Sequence, residues 1–254
     1  MTLHSPIDTA GLAPLARYLA PLSLPERLAA IRETVPGRFV LTTSFGLEDQ
    51  ALTHAAVSAG IDVEIVTLDT GRLFDETLEL WAETEFRYGI GIRAFTADTG
   101  EVEALVARDG PMGFRGSLEA RRACCAVRKI EPLRRALDGA ALWLTGLRAD
   151  QSAERSATAF LAPDSDYGLL KASPLVDWDR RAVADYVAAE DIPINALHAR
   201  GFASIGCAPC TRAIAPGEPE RAGRWWWEEE AKKECGLHDH PAFRAEPASA
   251  AEAA

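Results

Sequence analysis

Five cysteines carry the most specific chemistry in this sequence, and their spacing divides them four to one. Cys124 and Cys125 are adjacent, and Cys207-Ala208-Pro209-Cys210 is a Cys-x-x-Cys pair. Four thiolates are the usual complement of a cubane iron–sulfur cluster, a 4Fe-4S centre, and also of structural zinc. Zinc normally takes paired thiolates two to four residues apart, so the tandem Cys124-Cys125 favours the cluster. Arg121, Arg122, Arg128 and Lys129 would offset the charge that four thiolates impose. The plainer alternative is two inert helical cysteines and a separate redox pair. Cys235 is left over, in Lys232-Lys233-Glu234-Cys235-Gly236-Leu237-His238. Two lysines and a histidine near a thiol lower its pKa and favour the nucleophilic thiolate.

A second set of residues is suited to holding an anion. Thr42-Thr43-Ser44-Phe45-Gly46 leaves an apolar run and enters a helical pattern near Glu48. Such a small-residue exit can aim backbone N–H groups and a helix N-terminus at a phosphate. No Gly-Lys-Ser/Thr follows, so it is not a Walker loop. Asp69-Thr70-Gly71-Arg72 occupies the same place after the next apolar run, and Gly146-Leu147-Arg148-Ala149-Asp150-Gln151, with Arg155 beyond it, occupies a third. Each alone reads as an ordinary turn. Three together, bearing Arg72, Arg148 and Arg155, describe one anion-binding crevice. Arg221 and Arg224 precede Trp225-Trp226-Trp227, a run too apolar to stay wholly in water, so part of it must dock and bring both arginines with it.

The elements that must position these groups are strands and helices in alternation. Strands are expected over 39–41, 63–68, 92–96, 142–147 and 169–175. Helices are expected after Ser23, where Glu26 completes a capping box, from Glu48 to near Gly60, over 74–88 and 118–137, and around Val183, Tyr186 and Val187. In the 74–88 helix, Phe74, Leu78, Trp81 and Phe86 fall on one side. The class is α/β: a mostly parallel sheet with helices on both faces and a ligand at the carboxyl ends of its strands. Residues 1–205 form the nucleotide-binding domain, 206–240 complete the cysteine site and carry a mobile catalytic tail, and 241–254, rich in Ala, Glu and Pro, are expected to be disordered.

Bulk properties narrow the function further. A hydrophobic fraction of 48% over 254 residues supports one sizeable core. The net charge of −11 disfavours nucleic acid as a partner but leaves room for a local basic pocket. There is no membrane-length apolar run, and Asp8 precedes the first arginine, so a cytoplasmic address is expected. An odd cysteine count there argues against a disulfide framework.

Taken in order, these motifs resemble one family. The first loop is similar to the pyrophosphate loop of the adenine nucleotide alpha hydrolase-like superfamily. The run from the first strand to His238 resembles the assimilatory adenylylsulfate reductases, the cluster-bearing branch of the sulfonucleotide reductases. The resemblance rests on Ser44-Phe45-Gly46, Leu68-Asp69-Thr70-Gly71-Arg72, Cys124-Cys125-Ala126-Val127-Arg128-Lys129, Gly146 to Gln151, the Cys207–Cys210 pair, Arg221-Ala222-Gly223-Arg224 with its tryptophans, and Glu234-Cys235-Gly236-Leu237-His238. It implies that Cys235 attacks the sulfur of adenosine 5′-phosphosulfate, that AMP leaves, and that thioredoxin or a similar dithiol protein releases sulfite. It implies that Leu68 backbone groups meet adenine, and that Arg72, Arg148, Arg155, Arg221, Arg224 and Lys129 neutralise the substrate. The cluster then acts by position or charge, through Lys129, without changing redox state.

Two positions depart from the family pattern: Leu47 stands where a smaller residue is expected, and Glu154 where a small polar one is familiar. The nearest rival is reduction of 3′-phosphoadenosine 5′-phosphosulfate, or dual specificity; that branch lacks the four cluster cysteines. An ATP-using sulfurtransferase or adenylating enzyme would need a Ser-Gly-Gly run in the first loop. A non-enzymatic zinc or redox-sensing module would explain the cysteines but not the arginine-bearing loops. The sequence leaves the oligomeric state open, a homo-oligomer included.

Overall fold

The computed structural model describes residues 12–228. Six strands form one sheet in the order β3-β2-β1-β4-β6-β5. They are β1 (Phe39–Thr43), β2 (Glu64–Asp69), β3 (Arg93–Thr96), β4 (Leu142–Leu144), β5 (Leu161–Asp164) and β6 (Leu169–Ala172). All neighbouring pairs are parallel except β5 with β6. The helices are α1 (Leu12–Leu19), α2 (Leu24–Thr34), α3 (Leu47–Ser58), α4 (Asp75–Tyr88), α5 (Thr99–Asp109), α6 (Leu118–Cys125), α7 (Glu131–Leu137) and α8 (Arg180–Ala189).

The inner strands are buried on both faces, which is why they read as apolar runs, whereas the edge strand β3 buries only Phe95. Side chains alternate across the sheet with period two. Phe39 and Leu41 of β1, Ile65 of β2, and Leu142 and Leu144 of β4 enter one core with α1, α2, α3 and α8. Val40, Val66 and Trp143, the residues between them, enter the other core with Leu133, Ala136 and Leu137 of α7. Chain order reverses between β1 and β4, and the exits of those strands open a crevice there.

The α/β class, the parallel sheet and the Glu26–Ser23 start signal hold. The Glu26 carboxylate accepts from the Ser23 backbone N–H at 2.9 Å and from its hydroxyl at 2.6 Å. Several elements differ from expectation, among them the strand expected over 169–175, which ends at Ala172. The strand expected over 142–147 ends at Leu144, because the chain turns off the sheet to form the crevice wall. The edge strand β5 is missed because Pro163 interrupts its pattern, and proline is tolerated on an edge. Helices α1 and α5 are missed as well; each buries a single residue, Leu19 and Leu105 respectively. In α4 the apolar residues split: Phe86 is 91% exposed and Leu78 43%, while Trp81 packs on the core and Phe74 on Phe202. Thr77, Leu80 and Thr84 complete the inner face. The two threonines are satisfied there, since Thr77 Oγ1 accepts from Asn195 and Thr84 Oγ1 from Gln50, each at 3.0 Å.

The helix expected over 118–137 is continuous but not uniform. Between α6 and α7, Ala126–Ile130 widens to a π-turn, with the Glu131 N–H reaching back to the Ala126 carbonyl. Such single-turn bulges recur at functional sites. This one directly follows Cys124-Cys125 and carries Arg128 and Lys129.

Candidate active site

A cavity of about 190 Å³ lies at the carboxyl ends of β1, β2 and β4. Its floor is the β1 exit. Phe45 takes φ +60°, which a bulky residue rarely adopts; its ring is buried and stacks on Trp81 at 5.8 Å. Gly46 then caps α3. The loop is fastened by Asp49, whose Oδ2 accepts from the Ser44 N–H at 2.6 Å and from the Ser44 hydroxyl at 2.8 Å. Burial pushes the Asp49 carboxyl up to about 6, against the pull of those two bonds. Gly146, at the β4 exit, packs so closely on α3 that a Cβ there would meet Asp49 Oδ1 at 2.5 Å.

Ser44, Phe45, Gly46, Leu68, Thr70, Lys129, Arg155, Arg221 and Arg224 all line this cavity. Most of the residues expected to bind substrate are therefore brought together. Arg224 enters through a tight fit: a Cβ on Gly206 would stand 2.3 Å from its Nη2. Its Nη1 donates to the Ile205 carbonyl at 3.4 Å and the Ser204 hydroxyl at 3.3 Å, and its buried Nε has no partner among the described residues.

Three expected residues stand elsewhere. Arg148 is fully buried, and its guanidinium is taken up by Glu48 at 2.8 Å, by both oxygens of Glu220 at 2.8 and 3.0 Å, and by Asp150. It ties the start of α3 to the 212–224 segment and presents no surface to the cavity. Arg72 and Gly71 also lie off its wall. Gly71 uses φ +66° to turn the chain out of β2. Arg72 donates to the Pro111 carbonyl at 2.7 Å and lies over Phe114.

Arg72 borders a second, smaller cavity, and all four described cysteines line it. Cys124 and Cys125 come from the end of α6, Cys207 and Cys210 from the turn Ala208–Cys210 and its cap. Both segments are fastened to the β2 exit: the Ala208 N–H donates to the Arg72 carbonyl at 2.8 Å, Thr70 Oγ1 lies 3.3 Å from Cys207 Sγ, and Arg128, just after α6, donates to the Thr70 carbonyl at 2.6 Å. Trp225 is buried between the Arg121 and Arg224 guanidiniums at 4.5 and 4.8 Å, and Arg121 forks onto Glu228 at 2.8 and 2.9 Å. Trp227 packs on Phe114, while Trp226 is 36% exposed, so part of the tryptophan run docks as expected.

Burial raises the Cys207 thiol, but Lys129, the Thr70 hydroxyl, Arg224 and Arg72 together carry it below its ordinary value. Burial raises Cys124, and burial with the neighbouring Cys207 pushes Cys210 up to about 11. Among the described residues no group of three or more His, Cys, Asp or Glu is disposed to hold a metal ion. The donor set nevertheless suits one kind of occupant. Four thiols, no carboxylate or imidazole, and a rim of arginine and lysine match a centre ligated by four thiolates. Cys235 and the tail around it lie outside the described residues.

The sequence does not point to Glu48, Glu220 or His198, all on the cavity wall. Glu220 adjoins Arg221 and carried a faint signal, an acid beside an expected anion ligand. His198, within the short helical turn Ala196–Arg200, carried none.

The conserved-domain model described as a phosphoadenosine phosphosulfate reductase domain matches residues 38–213. The adenosine 5′-phosphosulfate reductase of Agrobacterium fabrum is 51% identical over 250 residues, covering 98% of this chain and 96% of its own. That of Sinorhizobium fredii is 54% identical over 220 residues, 87% of each chain. The crystal structure of a phosphoadenylyl-sulfate reductase from Candida auris, a phosphate complex, superposes with a TM-score of 0.70 at 23% identity. It covers 83% of this chain and 99% of that one, a likeness of fold. With a domain match over most of its length and half its residues shared with such relatives, the chain belongs to the sulfonucleotide reductase family, among the adenosine 5′-phosphosulfate reductases.

Proposed function

We propose that this protein reduces adenosine 5′-phosphosulfate to sulfite and AMP, with Cys235 as nucleophile and a 4Fe-4S cluster on Cys124, Cys125, Cys207 and Cys210. One observation carries this: the basic strand-end cavity and the four-thiol cavity share a wall of Lys129, Cys207, Arg224 and Trp225. An anion site and a thiolate site are thereby coupled through the same cations.

In the first half-reaction the Cys235 thiolate attacks the sulfate sulfur. The bond between that sulfur and the bridging oxygen breaks, AMP leaves with the electron pair, and Cys235 holds an S-sulfonate. Lys129, Arg155, Arg221 and Arg224 lower the repulsion between thiolate and substrate and stabilise charge on the departing phosphate. Arg148 acts one step back, fixing Glu48 and Glu220 so that Arg221 and the α3 N-terminus keep their places. In the second half-reaction a thiolate of thioredoxin, or of a similar dithiol protein, attacks Cys235 Sγ and sulfite leaves. The partner's second thiol resolves the mixed disulfide, so the dithiol is oxidised by two electrons. When bound, the cluster supplies local charge and a covalent tie between α6 and the 207–210 turn. A cytoplasmic address suits a reaction fed by a reduced dithiol, and among the described residues no helix is long and apolar enough to cross a membrane.

Protein purified without oxygen should be brown, hold iron and acid-labile sulfide in equal amounts, and release sulfite from adenosine 5′-phosphosulfate with reduced thioredoxin. Turnover should be far slower on the 3′-phosphorylated substrate. Stoichiometric zinc without labile sulfide would remove the cluster, and equal or preferred use of the 3′-phosphorylated substrate would remove the assigned specificity.

A further inference from the structure

His198 sits in the helical turn Ala196–Arg200, which Asn195 caps by accepting from the Leu197 N–H at 3.0 Å. Its Nδ1 lies 2.7 Å from the Phe202 carbonyl oxygen. A carbonyl only accepts, so Nδ1 carries the proton and Nε2 keeps a lone pair. Burial and the Arg180 guanidinium outweigh Phe202 and Glu48, and hold the ring below its ordinary pKa, hence neutral near pH 7. Nε2 is itself buried and has no hydrogen-bond partner among the described residues. A buried acceptor left unmatched is costly, and one on the wall of a cavity is open to a donor from a ligand.

The surroundings say what kind of group fits. Glu48 and Glu220 also line the cavity, each paired with Arg148 and Glu220 with Arg180 as well. Leu68 and Leu133 supply apolar surface for a base, and the cations stand at Lys129, Arg155, Arg221 and Arg224. A hydroxyl donor suits Nε2, whereas a phosphate oxygen at the same place would bring a second acceptor against it.

We propose that His198 Nε2 accepts a hydrogen bond from the ribose 3′-hydroxyl of the nucleotide and so makes the cavity favour that hydroxyl over a 3′-phosphate. This rests on the nucleotide assignment above and adds the residue that sets its specificity. The test is calorimetric binding of AMP, adenosine 3′,5′-bisphosphate, 2′-deoxy-AMP and 3′-deoxy-AMP to the full chain. The wild type should prefer AMP to the bisphosphate, and 3′-deoxy-AMP, but not 2′-deoxy-AMP, should bind roughly 2- to 10-fold more weakly than AMP.

In His198→Asn the amide can still donate to Phe202, but the Nε2 acceptor is gone. That variant should lose AMP affinity by the same factor, narrow the preference over the bisphosphate, and show no further loss with 3′-deoxy-AMP. His198→Gln, whose amide oxygen can reach the Nε2 position, should restore the preference. Binding of 3′-deoxy-AMP as tight as AMP on the wild type would overturn the proposal without recourse to any variant. An equal loss of AMP and bisphosphate in His198→Asn would overturn it too. No AMP binding at all would instead overturn the nucleotide assignment, whereas equal wild-type affinity for AMP and the bisphosphate would sink only the specificity role.

Discussion

The strand-end cavity and the cysteine cavity adjoin, yet they are built on different principles. The first is assembled from strand exits, each local in sequence and set by the sheet: Ser44 to Gly46, Leu68 to Thr70, and Gly146 to Leu147. The second exists only where the α6 end meets the 207–210 turn, segments far apart in the chain. One is held by a packed parallel sheet, the other by a few bonds and whatever ties the thiols together. The two should therefore fail separately.

The largest separation is expected from the cysteines. Cys124→Ser, Cys125→Ser, Cys207→Ser or Cys210→Ser should abolish turnover and bound iron together while AMP binding survives. Iron analysis beside nucleotide calorimetry checks this, and loss of AMP binding in all four would erase the distinction between the cavities.

Two arginines sharpen the same comparison. Arg148 is matched by three carboxylates, so Arg148→Ala strands buried charge and should cost about 3–5 kcal/mol of stability, read by denaturant unfolding. Arg224 has a buried Nε to spare, so Arg224→Ala should keep the fold and lose roughly 10- to 100-fold in kcat/KM, the worth of a charge-assisted hydrogen bond. If Arg148→Ala folds as stably as wild type, its carboxylate cage has been misjudged.

The effect that appears only on acidification belongs to Asp49. Its carboxyl is raised to about 6 from an ordinary 3.8, so the folded state keeps a proton that the unfolded chain releases. That contribution to stability is complete below about pH 4, is lost as pH rises through 6, and is constant above. Relative to Asp49→Asn, the wild type should lose stability between pH 4 and about 6, on the order of 1 kcal/mol per pKa unit. Parallel stability curves for the two proteins would contradict it.

Much of the nucleotide end was legible because strand exits are marked by local residues such as Gly46, Gly71 and Gly146, and because a doubly buried parallel strand is a run of apolar residues. The four-to-one division of cysteines was legible for a similar reason, since identity and spacing alone suggest a ligand set. The destination of long polar side chains was not. Arg148 and Arg224 look alike as strand-end or tail arginines, and only the distant Glu48, Glu220 and Gly206 decide which is neutralised and which faces the cavity. In α4 the inner face is threonine-rich, because Gln50 and Asn195 bring hydrogen bonds that no periodicity of apolar residues can announce.

The central claim is that Cys235 takes the sulfur and cannot release it alone, since the other four thiols are the proposed cluster ligands. Mixing anaerobic protein with adenosine 5′-phosphosulfate and no reductant measures this directly. One equivalent of AMP should appear in a burst, with a sulfonate adduct on Cys235 in the intact-mass and peptide spectra, and reduced thioredoxin should discharge it as sulfite. Cys235→Ser should bind nucleotide and give neither burst nor adduct. An adduct on another cysteine, or continuous AMP release without a thiol donor, would contradict the account.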